Sequence, residues 1–508
     1  MQKNHDVIVI GSGVGGGTVA RRLAENGVNV LVLERGDWVP READNWSVAS
    51  VFHEKKYTAH DTWLDGQGNE FRPNIYYNVG GCTKFYGGSM IRFREEDFGL
   101  LEHEEGISPA WPISYADIEP YYCEAESLFD VHGDDSGDPS APWRSKPYPS
   151  PKLTSEPLVQ RMADTMRRHG ASTSALPEAI DYGPKGQCIR CKTCDGFPCK
   201  LGAKYDAETA LIQPALATGR VDILTNCYVQ RLVLGADGKR VEAVEVMRNG
   251  QVEVLRAGVV VVSCGAINST ALLLRSACDT APKGVANGSG VVGRHYMAHN
   301  QTALMGLSFE TNDTVFQKTL ALNQFYFGDG EYRFPLGHAQ MLGKLQGGML
   351  SANVPFLPKA VGSTMARHSM DWIAFSEDLP DPENRIVLRD GKVQLAIKRN
   401  NLKPHHRLVE KLTSLLKKAG YPIVLVKPLI RHSTSHQCGT VKFGIDPATS
   451  AIDAYCRSHQ HENLFVIDAS FMPSSAAVNP ALTIVAQGLR AADHMLKEDF
   501  RTTSQHAS

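Results

Sequence analysis

Two clusters in this 508-residue chain have residue types and spacings that could do chemistry. The first is Gly11-Ser12-Gly13-Val14-Gly15-Gly16, with Glu34 eighteen residues beyond Gly16. Such glycines let backbone amides approach a pyrophosphate at the positive end of a helix, and the acid can accept hydrogen bonds from ribose hydroxyls. Gly11 permits the tight turn, Gly13 the approach to phosphate and Gly16 the close packing of helix on strand. That chemistry is the binding of the ADP half of FAD or NAD. The second cluster is Cys188-x2-Cys191-x2-Cys194-x4-Cys199. Thiolates at this spacing could hold an iron–sulfur centre or zinc. The ferredoxin pattern has three residues before its fourth cysteine and a proline after it. Here there are four residues, and Pro198 precedes Cys199. A disulfide or structural thiol loop is therefore favoured over a metal centre, and reduced, packed thiols suit a cytoplasmic chain better than a permanent disulfide.

The elements that must position the glycine turn are readable around it. Asp6 to Ile10 reads as a buried strand, Thr18 to Asn26 as a helix, and Val28 to Leu33 as a second strand that ends at Glu34. A second glycine loop, Gly80-Gly81 to Gly87-Gly88, would suit backbone packed against a flat cofactor, although glycine clusters also mark ordinary turns. Helices are expected over 118–129 and 156–169, separated by an irregular stretch rich in Gly, Asp, Pro and Ser. A strand-rich block from Val221, whose last segment is Val252 to Val262, reads as antiparallel strands that return to the core sheet at Val259-Val260-Val261-Val262. Ser263-Cys264-Gly265 then opens a second strand-to-helix junction aimed at the same nucleotide layer. Residues 301 to 430 change texture, with alternating segments at Thr302–Phe309 and Ile386–Ile397 and an amphipathic helix near His406–Lys418. The last seventy residues return to the first pattern, with a strand at Leu464–Asp468 and a helix at Ala481–Leu496. The reading is α/β: a Rossmann-like nucleotide domain over 1–300, a second domain with a mostly antiparallel sheet over 301–435, and a return to the first domain over 436–508.

Composition excludes several classes. The formal net charge is −2, from 53 basic and 55 acidic side chains, so nothing favours a nucleic-acid or anionic membrane partner. No apolar run approaches eighteen residues, so no membrane insertion is expected, and a cytoplasmic location is the default. The histidines of His405-His406 and His459-x-His461 are expected at the surface, with no carboxylates to complete a metal site.

Several dispersed segments, in order, resemble the glucose–methanol–choline (GMC) oxidoreductase family. They are the Gly11 turn, the Gly80-Gly81 loop, Val262–Ser276, Asn287–His299, Glu383–Ile386, and the segments around His436, Asp468 and Asn479. The Cys188–Ala203 segment looks like a bacterial branch that includes sugar and aminoglycoside oxidases. The resemblance implies non-covalent FAD held in a split nucleotide domain, with an inserted substrate domain. It matches Gly80 and Gly81 to the pyrophosphate and flavin side, Val229 to adenine contacts and Asp468 to the cofactor's linker. No histidine lies in the Gly80 loop, so a histidyl-flavin bond is not expected. The match also makes His436 and Asn479 the catalytic pair, with Asn479 beside the flavin. A neutral imidazole can accept a hydroxyl proton near pH 7, and an amide can hold the substrate oxygen without exchanging a proton.

The activity implied is oxidation of a hydroxyl on a sugar, glycoside or aminoglycoside, with oxygen or another electron acceptor. Two rivals remain. One is a dehydrogenase of a non-sugar alcohol passing electrons to a quinone or protein. The other is a catalytically silent FAD-binding assembly protein, which retention of His436 and Asn479 argues against. Some membrane-linked relatives carry an iron–sulfur centre near the flavin. Two departures from the family, Lys442-Phe443 and Cys82, weaken any transfer of substrate identity.

Overall fold

The structure is a computed structural model, and it describes residues 5–183, 185–354, 356–429 and 434–500. Its centre is a five-stranded parallel sheet. The strand order is Val221–Leu224, Val30–Leu33, Val7–Ile10, Val259–Val262, Leu464–Val466. Val7 pairs with Val30 on one side and with Val259 on the other. The central strands carry unbroken runs of Val, Ile and Leu, and every one of these residues is buried. A parallel sheet covered on both faces demands such runs. The helices Val14–Glu25 and Ala481–Glu498 pack together on this sheet.

Two sequence expectations change here. Val221–Leu224 was expected in the antiparallel block, but it is the edge strand of the parallel sheet, beside Val30–Leu33. Periodicity cannot distinguish the two, because four residues, of which only Val221 is fully buried, are too short a run to carry a period. The antiparallel block itself is three strands, Tyr228–Leu234, Val241–Arg248 and Gln251–Leu255. The first helix starts at Val14, not Thr18, so Gly15, Gly16 and Gly17 lie inside it. Glycine weakens a helix, but close packing requires it here. A methyl group at Gly15 would stand 2.0 Å from the Ile467 carbonyl oxygen, and one at Gly16 would stand 2.0 Å from that of Gly11.

The second large sheet has six antiparallel strands: Ile423–Pro428, Asn300–Leu307, Ser369–Ser376, His338–Met341, Leu320–Leu322 and Thr173–Ala175. The last strand comes from far upstream in the chain. The helix Leu402–Lys418 covers one face of this sheet through Leu408, Leu412 and Leu416. The alternating segment at Ile386–Ile397 does not join it. It forms the hairpin Arg385–Arg389 and Lys392–Ala396 in a separate sheet with Trp63–Leu64. Ile386, Val393 and Leu395 pack there on Ile267 and Ala271 of the helix Ala266–Arg275.

Two of the histidines expected at the surface are buried. His405 is 3% exposed and lies between the hydroxyls of Thr302 and Ser376, at 2.7 and 3.0 Å. His461 is also 3% exposed. Its Nε2 accepts from the Ala286 amide at 3.0 Å, and its Nδ1 donates to the Gly238 carbonyl at 2.8 Å. Both serve as hydrogen-bonded core, which residue spacing alone does not reveal.

Candidate active site

The carboxyl ends of the parallel strands gather the cofactor-side residues on one edge of the sheet, where open α/β sheets bind ligands. Gly11 has φ 102°, and a methyl group on it would stand 2.2 Å from the Ser263 carbonyl oxygen. Glu34 is 6% exposed and faces the same turn. Its carboxylate accepts from the Ser12 amide at 3.1 Å, the Ser12 hydroxyl at 2.5 Å and the Gly36 amide at 2.9 Å. Burial pushes its pKa up, and these hydrogen bonds oppose that shift. The Ser12 hydroxyl also accepts from the Gly80 amide at 3.1 Å. Gly80 and Gly81 have φ 90° and 56°, and a methyl group at Gly81 would stand 3.0 Å from Gly13 Cα. The two glycine loops therefore touch.

Gly13 itself is different. A methyl group there meets nothing within 4 Å. Neither its φ of −69° nor protein packing demands glycine at this position. A ligand approaching the backbone would demand it, so this cradle fits the pyrophosphate of FAD. Val229 is 5% exposed, two residues beyond Cys227, whose amide donates to the Glu34 carbonyl at 2.9 Å. That location adjoins the acid end of the cradle. Asp468 has both oxygens engaged by protein: Ser470 N at 2.8 Å on one, Gly265 N at 3.0 Å and Ser269 Oγ on the other. It clamps the end of the Leu464–Val466 strand to the second strand-to-helix junction.

His436 and Asn479 lie together, although 43 residues separate them. Asn479 Nδ2 is 3.3 Å from His436 Nε2. Asn479 Oδ1 is buried and has no protein partner. An orphaned acceptor beside an imidazole is a place for a ligand hydroxyl. His436 Nδ1 lies 3.0 Å from Nδ1 of His299, whose Nε2 lies 2.8 Å from the Ser475 carbonyl oxygen. The Phe375 ring packs on His436 with centroids 5.0 Å apart. Burial holds the His436 pKa well below the usual histidine range, and His299, His338 and Lys318 push it the same way. His436 is therefore a neutral imidazole at physiological pH.

The backbone around this contact is unusual. His436 has φ 58°, His299 φ 62° and Ala476 φ 52°. Non-glycine residues in the left-handed region cost roughly 1–3 kcal/mol each and gather where structure over-determines them. His299, Ser475 and the neighbouring Asp378 escaped the sequence reading of the site. Asp378 accepts from the amides of Ala298 and His299 at 2.8 and 2.9 Å and from the Ser475 hydroxyl at 3.0 Å. His299 closes a segment that carried the family resemblance, but no residue type or spacing marked it as a partner of His436.

Cys188, Cys191, Cys194 and Cys199 line one small cavity with Trp46 and Leu201. All eleven cysteines are free thiols. Among the described residues, no group of three or more His, Cys, Asp or Glu side chains is arranged to hold a metal. Burial pushes Cys188 up to about 11 and Cys194 well above the usual thiol range. Other contacts hold the segment. Asp195 pairs with Lys318 at 2.7 Å, and Lys318 also donates to the Gly87 carbonyl at 3.1 Å. Lys204 Nζ donates to three carbonyls, of Tyr86, Cys194 and Phe197, at 2.6, 3.0 and 2.8 Å. Among the described residues, no helix is long and apolar enough to cross a membrane.

Comparison with known proteins agrees with this geometry. Residues 77–301 and 391–488 match two models of the GMC oxidoreductase family, and residues 6–107 match a model described as FAD dependent oxidoreductase. A 6'''-hydroxyparomomycin C oxidase of Streptomyces lividus is 31% identical over 513 residues, covering 96% of this chain and 90% of that protein. The fructose dehydrogenase large subunit of Gluconobacter japonicus is 27% identical over 554 residues, covering 97% and 98%. The crystal structure of pyridoxine 4-oxidase from Mesorbium loti shares the fold with a TM-score of 0.68, at 18% identity and coverage of 97% and 99%. With its glycine cradle, its split nucleotide sheet and these matches along nearly its whole length, the chain belongs to the GMC oxidoreductase family, the FAD-dependent enzymes that oxidise hydroxyl groups.

Proposed function

We propose that this enzyme oxidises a primary or secondary hydroxyl of a sugar, glycoside or aminoglycoside. The observation that carries this reading is the pairing of a neutral, buried His436 with Asn479, whose Oδ1 is free to receive a hydroxyl. In the substrate complex the reacting oxygen takes the place of Nε2 as acceptor for Asn479 Nδ2–H, which orients that oxygen and frees the Nε2 lone pair of His436 to take the hydroxyl proton as the carbinol carbon becomes a carbonyl. FAD, when bound, supplies the acceptor for the hydride that leaves this carbon. The residues expected to hold it are Gly11, Gly13, Gly16, Glu34, Gly80, Gly81, Val229, Asp468 and Asn479.

The substrate class draws support from the oxidase of Streptomyces lividus and the fructose dehydrogenase subunit, whose names point to polyhydroxylated substrates. The six-stranded sheet bears Phe375 and His338 on the side nearest His436, so we assign the substrate wall to it. Oxygen or another electron acceptor takes the electrons onward. Anaerobic mixing of the FAD-loaded enzyme with a panel of sugars, aminoglycosides and simple alcohols, followed by the flavin absorbance, tests the reading. Bleaching by polyhydroxylated substrates is expected. Bleaching by simple alcohols alone would overturn it.

A further inference from the structure

We propose that His299 is a positioning residue that fixes the tautomer of His436, leaving the lone pair of His436 on Nε2, where it faces Asn479. The argument is a proton count. The Ser475 carbonyl can only accept, so Nε2 of His299, 2.8 Å away, must carry a hydrogen. With both imidazoles neutral, the state the proposal assigns to the pair, they hold two ring N–H protons in total. The second proton belongs to His436, on either Nδ1 or Nε2. On Nε2 it would leave two nitrogen lone pairs facing each other across the 3.0 Å gap between the Nδ1 atoms. On Nδ1 it makes a hydrogen bond to His299. The neutral pair therefore settles with His436 Nδ1–H donating to His299, and Nε2 of His436 is the acceptor.

The surroundings hold this arrangement in place. Asn479 presents its Nδ2 to that same Nε2 at 3.3 Å, which an acceptor nitrogen suits and an N–H would repel. His299 is 5% exposed, and its backbone amide donates to Asp378 at 2.9 Å. The left-handed backbone at His299, His436 and Ala476 aims the two rings at each other, with an interplanar angle of 80°. Ser475 Oγ donates to Asp378, so the carbonyl that fixes His299 is itself anchored. When His436 accepts a proton on Nε2, its Nδ1–H bond to His299 is kept, and no second proton needs to move. The neutral carbonyl of Ser475 cannot receive a proton, so His299 acts as a lock on the tautomer and passes no proton onward.

This inference rests on the reading of His436 as base only for its kinetic consequence. The tautomer is read independently, by long-range proton–nitrogen correlation on the 15N-histidine-labelled, FAD-loaded resting enzyme. The expected spectrum has the His436 Nδ1 signal in the protonated range and Nε2 in the unprotonated range. Finding the reverse would overturn the proposal, whatever the kinetics. Two variants separate positioning from mere support. His299→Asn places an acceptor oxygen near the former Nδ1 and should keep both the tautomer and most of the rate of flavin reduction. His299→Ala should scramble the tautomer and slow reduction by about tenfold or more, with substrate affinity little changed. An unaltered tautomer in His299→Ala, or equal slowing in both variants, would refute it. Rapid reduction by His436→Ala would refute the base assignment while leaving the tautomer measurement standing.

Discussion

Asn479 Nδ2 stands 3.3 Å from His436 Nε2, and the Oδ1 of the same amide is buried without a protein partner. One side chain thus holds the imidazole and offers an acceptor beside it. Replacing His436 by Ala should slow flavin reduction at saturating substrate by about 10²-fold or more, the usual scale for a lost base. Asn479→Ala should slow it through lost orientation. Stopped-flow reduction measures both. Near-native reduction by the His436 variant excludes it as the base.

The depressed pKa of His436 sets a pH profile. A histidine whose folded pKa is lowered stays neutral, and competent as a base, as pH falls below 6.5. The rate of flavin reduction should therefore show no loss on this account as pH falls from 8 through 6.5. A limb centred near pH 6.5 would contradict the burial argument. Folding stability carries the matching sign: unfolded His436 protonates on acidification before the folded residue does, so its contribution erodes below about pH 6.5.

Gly13 and Gly11 should behave differently as alanine. The Gly13 position has open space, so Gly13→Ala should fold with a native-like melting temperature and lose most of its FAD. At Gly11 the added methyl meets the Ser263 carbonyl, so Gly11→Ala should lose stability as well. Thermal melts of the apo-proteins alongside flavin absorbance separate the two. Acid precipitation of the parent protein should release all its flavin, as a non-covalent cofactor requires. Flavin retained in the pellet would show a covalent bond.

Glu178 is 2% exposed, and burial raises its pKa to about 8. Its folded pKa lies above the ordinary value of 4.5, so the folded protein keeps a proton that the unfolded chain loses. The stability contribution is present below about pH 4.5 and is lost as pH rises through 8. Glu178→Gln, which mimics the protonated acid, should match the parent at pH 5 and exceed it at pH 9 by roughly a few kcal/mol. A difference independent of pH would refute the assignment.

The cysteine segment should carry no stoichiometric metal. Protein prepared anaerobically should hold less than about 0.1 iron or zinc per chain, because a thiolate site binds tightly enough to survive isolation. Iron with matching sulfide would reverse this reading and favour a dehydrogenase that hands electrons to a partner.

Much of the nucleotide half was legible in the residues themselves. Continuous β-branched runs such as Val7–Ile10, closed by a glycine turn, read as strands covered on both faces. The glycine turn ahead of Glu34 encodes a local backbone requirement, and local requirements are visible in one stretch of chain. Long-range pairing was not. Val221–Leu224 stands directly before the antiparallel strands in sequence, yet its partner is Val30–Leu33. The Ile386–Ile397 segment has the right period for the six-stranded sheet, yet it packs on the helix Ala266–Arg275. His405 and His461 looked solvated because burial depends on what folds over a residue. The proposed catalytic pair, His436 and Asn479, was named by resemblance, but the Nδ1 contact of His436 with His299 was invisible. That contact joins residues 137 positions apart through three left-handed backbone positions, at His299, His436 and Ala476, none of them glycine. Residue type sets what an imidazole can do. Only the tertiary packing around both rings decides which nitrogen carries the proton.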